Sequence, residues 1–174
     1  MANTYTLIAS STAGSGGVSS VTFSSFPSTY TDLKIVMSAR SNRAAAVVDN
    51  VKLSINGSGY STSITNRSLL GDGASASSYS VYPEFAGGLV TGATATSNTF
   101  NNNEIYFTNY NLTTINKSFS VDSVTENNAT TSYAVLGANL YSSNSAITSI
   151  AIAPDVGTLF VQYSAFYLYG IKNS

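Results

Sequence analysis

The chain has 174 residues, of which 43% are hydrophobic but only 9% are charged, and its net charge at pH 7 is −1. This hydrophobic content excludes a wholly disordered chain. The seven basic residues are dispersed, which argues against a surface for nucleic-acid phosphates. The absence of Cys and His excludes disulfides, thiolate chemistry, histidine-based catalysis and ordinary zinc sites.

Alternation of apolar and polar residues predicts β-strands along most of the chain. In chain order the predicted strands are 4–9, 18–26, 33–37, 51–55, 105–110, 119–121, 133–140, 147–152 and 159–171. Strand 51–55 ends at Asn56-Gly57, a pair that favours a tight turn because both residues tolerate positive φ. Residues 44–48 fit one helical turn or a strand. Stretches 71–78 and 87–103 are predicted long loops that could hold short strands.

This pattern predicts an all-β fold, an antiparallel two-sheet β-sandwich that is jelly-roll-like. A small closed barrel is the alternative. No internal repeat or linker divides the chain, so residues 1–174 are predicted to form a single domain. No apolar run approaches the roughly 18 residues that span a bilayer, and Met1–Tyr5 lacks the features of a signal peptide. We expect a soluble protein with neither membrane nor nucleic-acid partners, and no cofactor.

The last predicted strand is aromatic on both faces. Phe166 and Leu168 occupy one face, and Tyr163, Tyr167 and Tyr169 share the other. Only one face can enter the sandwich core, so the tyrosines require a second layer, a β-bulge that resets the alternation, or another subunit. Tyrosine suits interfaces because it combines a large flat surface with a hydroxyl. These three tyrosines are therefore the candidate interface.

Catalysis would have to use carboxylates, and no two acidic residues are close in sequence. A glycosidase needs two facing carboxyl groups, for which Glu84 and Glu104 are the candidates. Nearby Tyr79, Tyr82 and Phe85 could provide a stacking platform, and Tyr79 with Tyr82 form a candidate ligand-binding loop. The more economical interpretation is that both carboxylates are solvated surface charges. We therefore expect a protein that is not an enzyme.

Two acidic, Asn-containing stretches carry oxygen ligands of the type that calcium prefers. They are Asn101–Glu104, and Asp122 with Glu126–Asn128. Neither matches an EF-hand loop, and runs of Asn are more typical of turns. No metal site is predicted.

Both ends of the chain resemble one family. The segment YTLIASSTAGSGGVSSVTFSSFPSTYTDLKIVMSARS (residues 5–41), with Phe26-Pro27 and Tyr30-Thr31-Asp32 in its link, is similar to small virion structural proteins of tailed bacteriophages of marine and cyanobacterial hosts. The C-terminal FYLYGIK, residues 166–172, resembles their closing strand. The resemblance covers about a third of the chain and carries no motif for a catalytic or binding site.

The resemblance implies a sandwich assembled in several copies on the virion, which would be the location of this protein. The first hypothesis is a capsid decoration or cement protein that self-associates and binds the major capsid protein. A net charge near zero is compatible with association between copies. The alternative is a tail-fibre or receptor-binding, carbohydrate-binding module that recognises host surface glycan through Tyr79 and Tyr82. A glycan depolymerase is a third hypothesis, which would require the carboxylate pair.

Overall fold

The structure is a computed structural model, and it describes residues 5–80, 83–128 and 131–173. Within these residues the chain forms twelve β-strands and one short 3₁₀ helix at Pro83–Phe85. The strands are β1 (Tyr5–Thr12), β2 (Val21–Ser24), β3 (Asp32–Ser38), β4 (Val48–Ile55), β5 (Ile64–Gly71), β6 (Ala76–Ser80), β7 (Leu89–Thr91), β8 (Asn102–Phe107), β9 (Lys117–Val124), β10 (Ala134–Tyr141), β11 (Ser149–Pro154) and β12 (Ala165–Ile171).

The strands form two antiparallel sheets. The larger sheet has eight strands in the order β1-β12-β3-β8-β9-β10-β5-β6, and the smaller has four in the order β2-β11-β4-β7. The prediction of an all-β, two-sheet sandwich is confirmed, whereas its jelly-roll topology remains a prediction. Both described sheets are open, with β1 and β6 at the edges of the larger one, so the closed barrel is not formed.

The core lies between the sheets and follows the alternation in the sequence. Leu33, Ile35 and Met37 of β3 are fully buried, and so are Leu53 and Ile55 of β4 in the facing sheet. Each lies on the same face as its neighbour two residues along, because successive side chains of a strand point to opposite faces. Burial of such side chains stabilises the fold by about 1.5–3 kcal/mol each.

Strand β5 carries no clear signal in the sequence because part of its inward face is polar. Asn66 and Ser68 are both buried there. The Nδ2 atom of Asn66 donates to Oδ1 of Asn139 on the paired strand β10 at 2.6 Å, and Ser68 Oγ donates to Asn66 Oδ1 at 2.8 Å. Because these bonds satisfy the buried polar groups, β5 can contribute Asn and Ser to an inner face.

Several local predictions are settled by backbone geometry. The turn at Asn56-Gly57 is confirmed, with φ of 54° and 70°. Residues 44–48 form neither a helical turn nor a full strand, since Ala45 has a φ of 56° in a turn and β4 starts only at Val48. The predicted loops 71–78 and 87–103 contain β7 and the starts of β6 and β8. The last strand starts at Ala165, six residues later than predicted.

Candidate interaction surface and cleft

The side chains of the larger sheet that point away from the smaller sheet form a broad surface, here called the outer face. Strand pairing places its residues in rows that cross all eight strands. One row is Ser10, Tyr167, Val36, Glu104, Asp122, Leu136, Leu69 and Ser78. The next row is Leu7, Tyr169, Lys34, Tyr106, Ser120, Ala138, Arg67 and Ser80.

Apolar side chains lie toward both ends of these rows. Leu69 and Leu136 are 60% and 59% exposed near one end, and Leu7 is 53% exposed at the other. Three of the charges lie nearer the middle, where Lys34 Nζ contacts Glu104 Oε2 at 2.7 Å, and Arg67 lies near the β6 edge. Leu69 and Leu136 are directly paired across β5 and β10. Since large aliphatic side chains are usually buried, this exposed pair marks the outer face as a candidate interaction surface.

The predicted interface tyrosines do not all lie on the outer face. Tyr167 and Tyr169 do, opposite the buried Phe166 and Leu168, as the alternation indicates. Tyr163 does not belong to β12: it lies in the preceding turn with a φ of 73° and is 70% exposed. Placing Tyr163 on the same strand face was wrong, because the left-handed residue ends the extended backbone before Ala165.

Sequence reasoning missed the two most exposed leucines of the outer face. Leu69 lies on β5, which was not predicted, and Leu136 lies on the outward side of β10 beside the buried Val135. The sequence feature that could have predicted these exposed leucines is a pair of adjacent apolar residues, at 69–70 and again at 135–136. In each pair one side chain has to point outward if the segment is a strand.

A cleft of about 280 Å³ lies at the β5–β6 end of the larger sheet, between that sheet and the chain at β4 and β7. It is lined by Val48, Asn50, Asn66, Leu70, Tyr79, Phe85, Leu89 and Tyr133. Of the predicted ligand-loop residues, Tyr79 therefore lies at a concave site, on the edge strand β6. Tyr82 lies outside the described residues.

The floor of the cleft is a small apolar cluster separate from the main core. Phe85, Leu89 and Val135 are buried in it, with Leu70 and Tyr133 packed against them. The backbone of Tyr133 is fixed by bonds to Thr125, since its N–H donates to Thr125 Oγ1 at 3.2 Å and its carbonyl accepts from Thr125 N at 2.9 Å. Phe85, expected as a stacking platform, is only 9% exposed and contributes mainly to this floor.

The structure does not bring Glu84 and Glu104 together. Glu104 lies on the outer face of the larger sheet, paired with Lys34. Glu84 lies in the 3₁₀ helix, which contacts β4 and β5 and whose Phe85 packs with Val135 on the inner side of that sheet. A glycosidase pair has to face one substrate, and these two carboxylates lie on opposite sides of a sheet.

The Asn-rich segment at the start of β8 has a structural role. The Asn101 carboxamide accepts from Ala39 N and donates to the Leu89 carbonyl, both at 2.7 Å, and Asn103 Nδ2 donates to the Gly87 carbonyl at 2.6 Å. These bonds hold the chain around β7 against the larger sheet. Across the described ranges, no three acidic side chains are grouped so that they could hold a metal ion. Nor does any described helix have the length and apolarity to cross a membrane.

The buried side chain of Lys117 connects two loops by hydrogen bonds. Its Nζ atom donates to the carbonyls of Leu112 at 2.5 Å, Ile115 at 2.9 Å, and Asn144 and Ser145 at 2.8 Å. Burial lowers the pKa of this ammonium. Because its donors are directed at backbone oxygens, Lys117 serves loop structure rather than ligand binding.

Arg40 has the same role at the opposite end of the sandwich. Its guanidinium donates to the carbonyls of Ala93, Ala95, Thr96 and Thr99 at 2.8–3.1 Å, which shapes the loop after β7. Burial lowers its pKa as well. The planar fork of five donors explains why arginine suits a loop that offers several carbonyls.

Comparisons of the chain with protein-family models, with curated proteins and with solved structures find no match. Function is therefore inferred from the outer face, from the cleft and from the resemblance of residues 5–41 and 166–172. Those two segments are neighbours in the fold, since β12 pairs with β1 on one side and with β3 on the other.

Proposed function

We propose that this protein is a non-enzymatic structural component of a tailed-phage virion, a capsid decoration protein that binds and stabilises the outer head shell. The observation that carries the proposal is the outer face, with exposed Leu7, Leu69, Leu136 and Tyr167 on one continuous sheet. The virion assignment is supported by the resemblance of the two terminal segments. The partners would be the major capsid protein and further copies of this chain.

The outer face has the size of a protein–protein interface. Eight strands spaced about 4.8 Å apart, with roughly six residues each at about 3.3 Å, cover about 38 by 20 Å. This is close to the roughly 800 Å² per partner of a standard interface. The charges of the two rows, Lys34 and Arg67 against Glu104 and Asp122, balance.

Cosedimentation with heads assembled from the major capsid protein of the same phage tests the proposal. The double variant Leu69→Lys/Leu136→Lys should fold, since both side chains are exposed, but should lose binding because two ammonium groups would have to be desolvated. Val156→Lys is the matched control: Val156 is 59% exposed, in the segment after β11, outside the outer face. Wild-type protein that stays in the supernatant, or a double variant that binds as well as Val156→Lys, would contradict the proposal.

The alternative function, a tail-fibre or receptor-binding module, is favoured by the uncharged aromatic cleft that includes Tyr79. A virion reconstruction separates the two functions. Density for this sandwich on the capsid lattice supports decoration, and density at the tail tip supports receptor binding.

A further inference from the structure

The cleft at the β5–β6 end of the larger sheet has the chemistry of a ligand site rather than of a packing defect. Tyr79 and Tyr133 contribute two aromatic rings to a lining that also contains the buried Phe85 and Leu89. None of the eight lining residues carries a charge. Such a lining offers no opposite charge to compensate the desolvation of a phosphate, a carboxylate or an ammonium, so a neutral ligand is favoured.

Two polar side chains of the lining are available to form hydrogen bonds with a ligand that carries hydroxyl groups. Among the described residues, neither the Asn50 carboxamide nor the Tyr133 hydroxyl forms a hydrogen bond. An amide both donates and accepts, as a hydroxyl does, so these groups can bond to hydroxyls in either direction. Asn66 forms a rigid wall, since its side chain is already bonded to Asn139 and Ser68.

The volume of the cleft matches a ligand of about one ring. At 280 Å³ the cleft is just smaller than the roughly 300–1,000 Å³ of pockets for drug-sized molecules. At about 30 Å³ per liquid water molecule, it holds roughly nine waters. A molecule with about a dozen non-hydrogen atoms fits this space, and a longer chain would have to continue into solvent.

We propose that this cleft binds a single neutral saccharide unit, one ring face of which packs on Tyr79 while its hydroxyls bond to Asn50 and Tyr133. A sugar ring combines the required features, because one face exposes C–H groups that pack on aromatic rings and the rim carries uncharged hydroxyls. The proposal holds for either location of the protein on a virion, and it does not depend on the decoration function.

Amide chemical-shift mapping of the full chain tests the proposal with glucose, galactose, mannose and N-acetylglucosamine as separate probes. Each is used at about 10 mM, because a ligand of about a dozen atoms is expected to bind in the millimolar range. At least one neutral sugar should shift the amides of β5, β6 and β7. Glucose 6-phosphate and N-acetylneuraminic acid, which carry charges, should not.

Two variants test whether the chemical-shift changes come from sugar bound in the cleft. Tyr79→Ala should weaken binding about tenfold through the lost ring, and Asn50→Ala should weaken it while leaving both rings in place. Tyr5→Ala is the matched control, since Tyr5 lies on the opposite edge strand and is 52% exposed against 45% for Tyr79. The proposal is overturned if no neutral sugar shifts these amides, if a charged sugar binds better, or if Tyr79→Ala and Tyr5→Ala behave alike.

An array of neutral glycans then distinguishes two possible natural ligands, a surface polysaccharide and a free sugar. Binding of immobilised glycans that end in the identified sugar indicates recognition of a surface polysaccharide. Binding of the free sugar alone indicates a small-molecule site. Both outcomes support a saccharide cleft.

Discussion

Tyr106 and Asp32 are joined by a hydrogen bond of 2.7 Å from the tyrosine hydroxyl to Oδ2 of the carboxylate. Asp32 is the first residue of β3 and is 3% exposed. It also accepts from Asn109 N at 2.8 Å and from Asn173 Nδ2 at 2.7 Å. One buried carboxylate thus connects β3, β8, the turn after β8 and the end of the chain.

The Tyr106–Asp32 bond predicts loss of stability at alkaline pH. Burial, with help from the bond to Asp32 and from its negative charge, raises the pKa of Tyr106 from 10.0 to about 12. The folded state therefore favours the protonated phenol. Its stabilising contribution is complete below pH 10 and is lost as the pH rises from 10 towards 12.

Tyr106→Phe should lower the free energy of unfolding by about 1 kcal/mol at neutral pH. The difference from wild type should shrink as the pH rises above 10. Denaturant titrations at several pH values measure both effects, with Tyr167→Phe as a control on the same face that lacks the bond. A difference that stays constant across this pH range would show that the bond does not control the titration.

Lys117→Met tests whether the buried ammonium organises the loops around 112–115 and 144–145. Removing the donor leaves several carbonyls without their partner, at a cost of about 1–3 kcal/mol for each that stays buried. We expect a lower midpoint of denaturation and faster hydrogen exchange in these two loops. Lys172→Met, at an exposed position just after β12, should leave both unchanged. Equal effects of the two variants would refute the role of Lys117.

Gly170→Ala tests the contact between the two segments that carry the phage resemblance. A Cβ atom at Gly170 would lie 2.4 Å from the ring of Tyr30, well inside van der Waals contact. We expect a loss of about 1–3 kcal/mol in the free energy of unfolding, because the well-packed ring has to move. Gly14→Ala, whose Cβ would meet no atom within 4 Å, should be nearly neutral in the same thermal denaturation assay. Two equally stable variants would mean that Tyr30 moves aside without cost.

Tyr167→Ser tests the outer face as an interface. The substitution removes a ring that is 36% exposed and leaves Phe166 and Leu168 in the core, so the fold should persist. Self-association measured by light scattering, or binding to heads measured by cosedimentation, should fall. Tyr163→Ser should have a smaller effect, because Tyr163 lies in the turn outside β12. If Tyr167→Ser assembles and binds normally, the interface assignment is wrong.

Sequence pattern anticipated the fold class and part of the candidate surface. Alternation identified Leu33, Ile35 and Met37 as core, and it placed Tyr167 and Tyr169 outside. It could not find β5, because the inward Asn66 and Ser68 look like loop residues until Asn139 is brought opposite. Strand β6 was anticipated only as a short strand that the loop 71–78 could hold, for another reason: an edge strand pairs on one side only and buries little apolar surface, so it needs no apolar pattern.

The sequence by itself determined which side of most strands is buried, because side chains alternate with a period of two and apolar ones leave water. Tertiary structure alone decided which strands became neighbours. Pairing between distant segments brought Leu69 beside Leu136 on the outer face, and it placed Tyr79, Phe85 and Tyr133 around one cleft. Strand pairing uses backbone groups that nearly every residue carries, so the order of strands in a sheet is not encoded in local alternation.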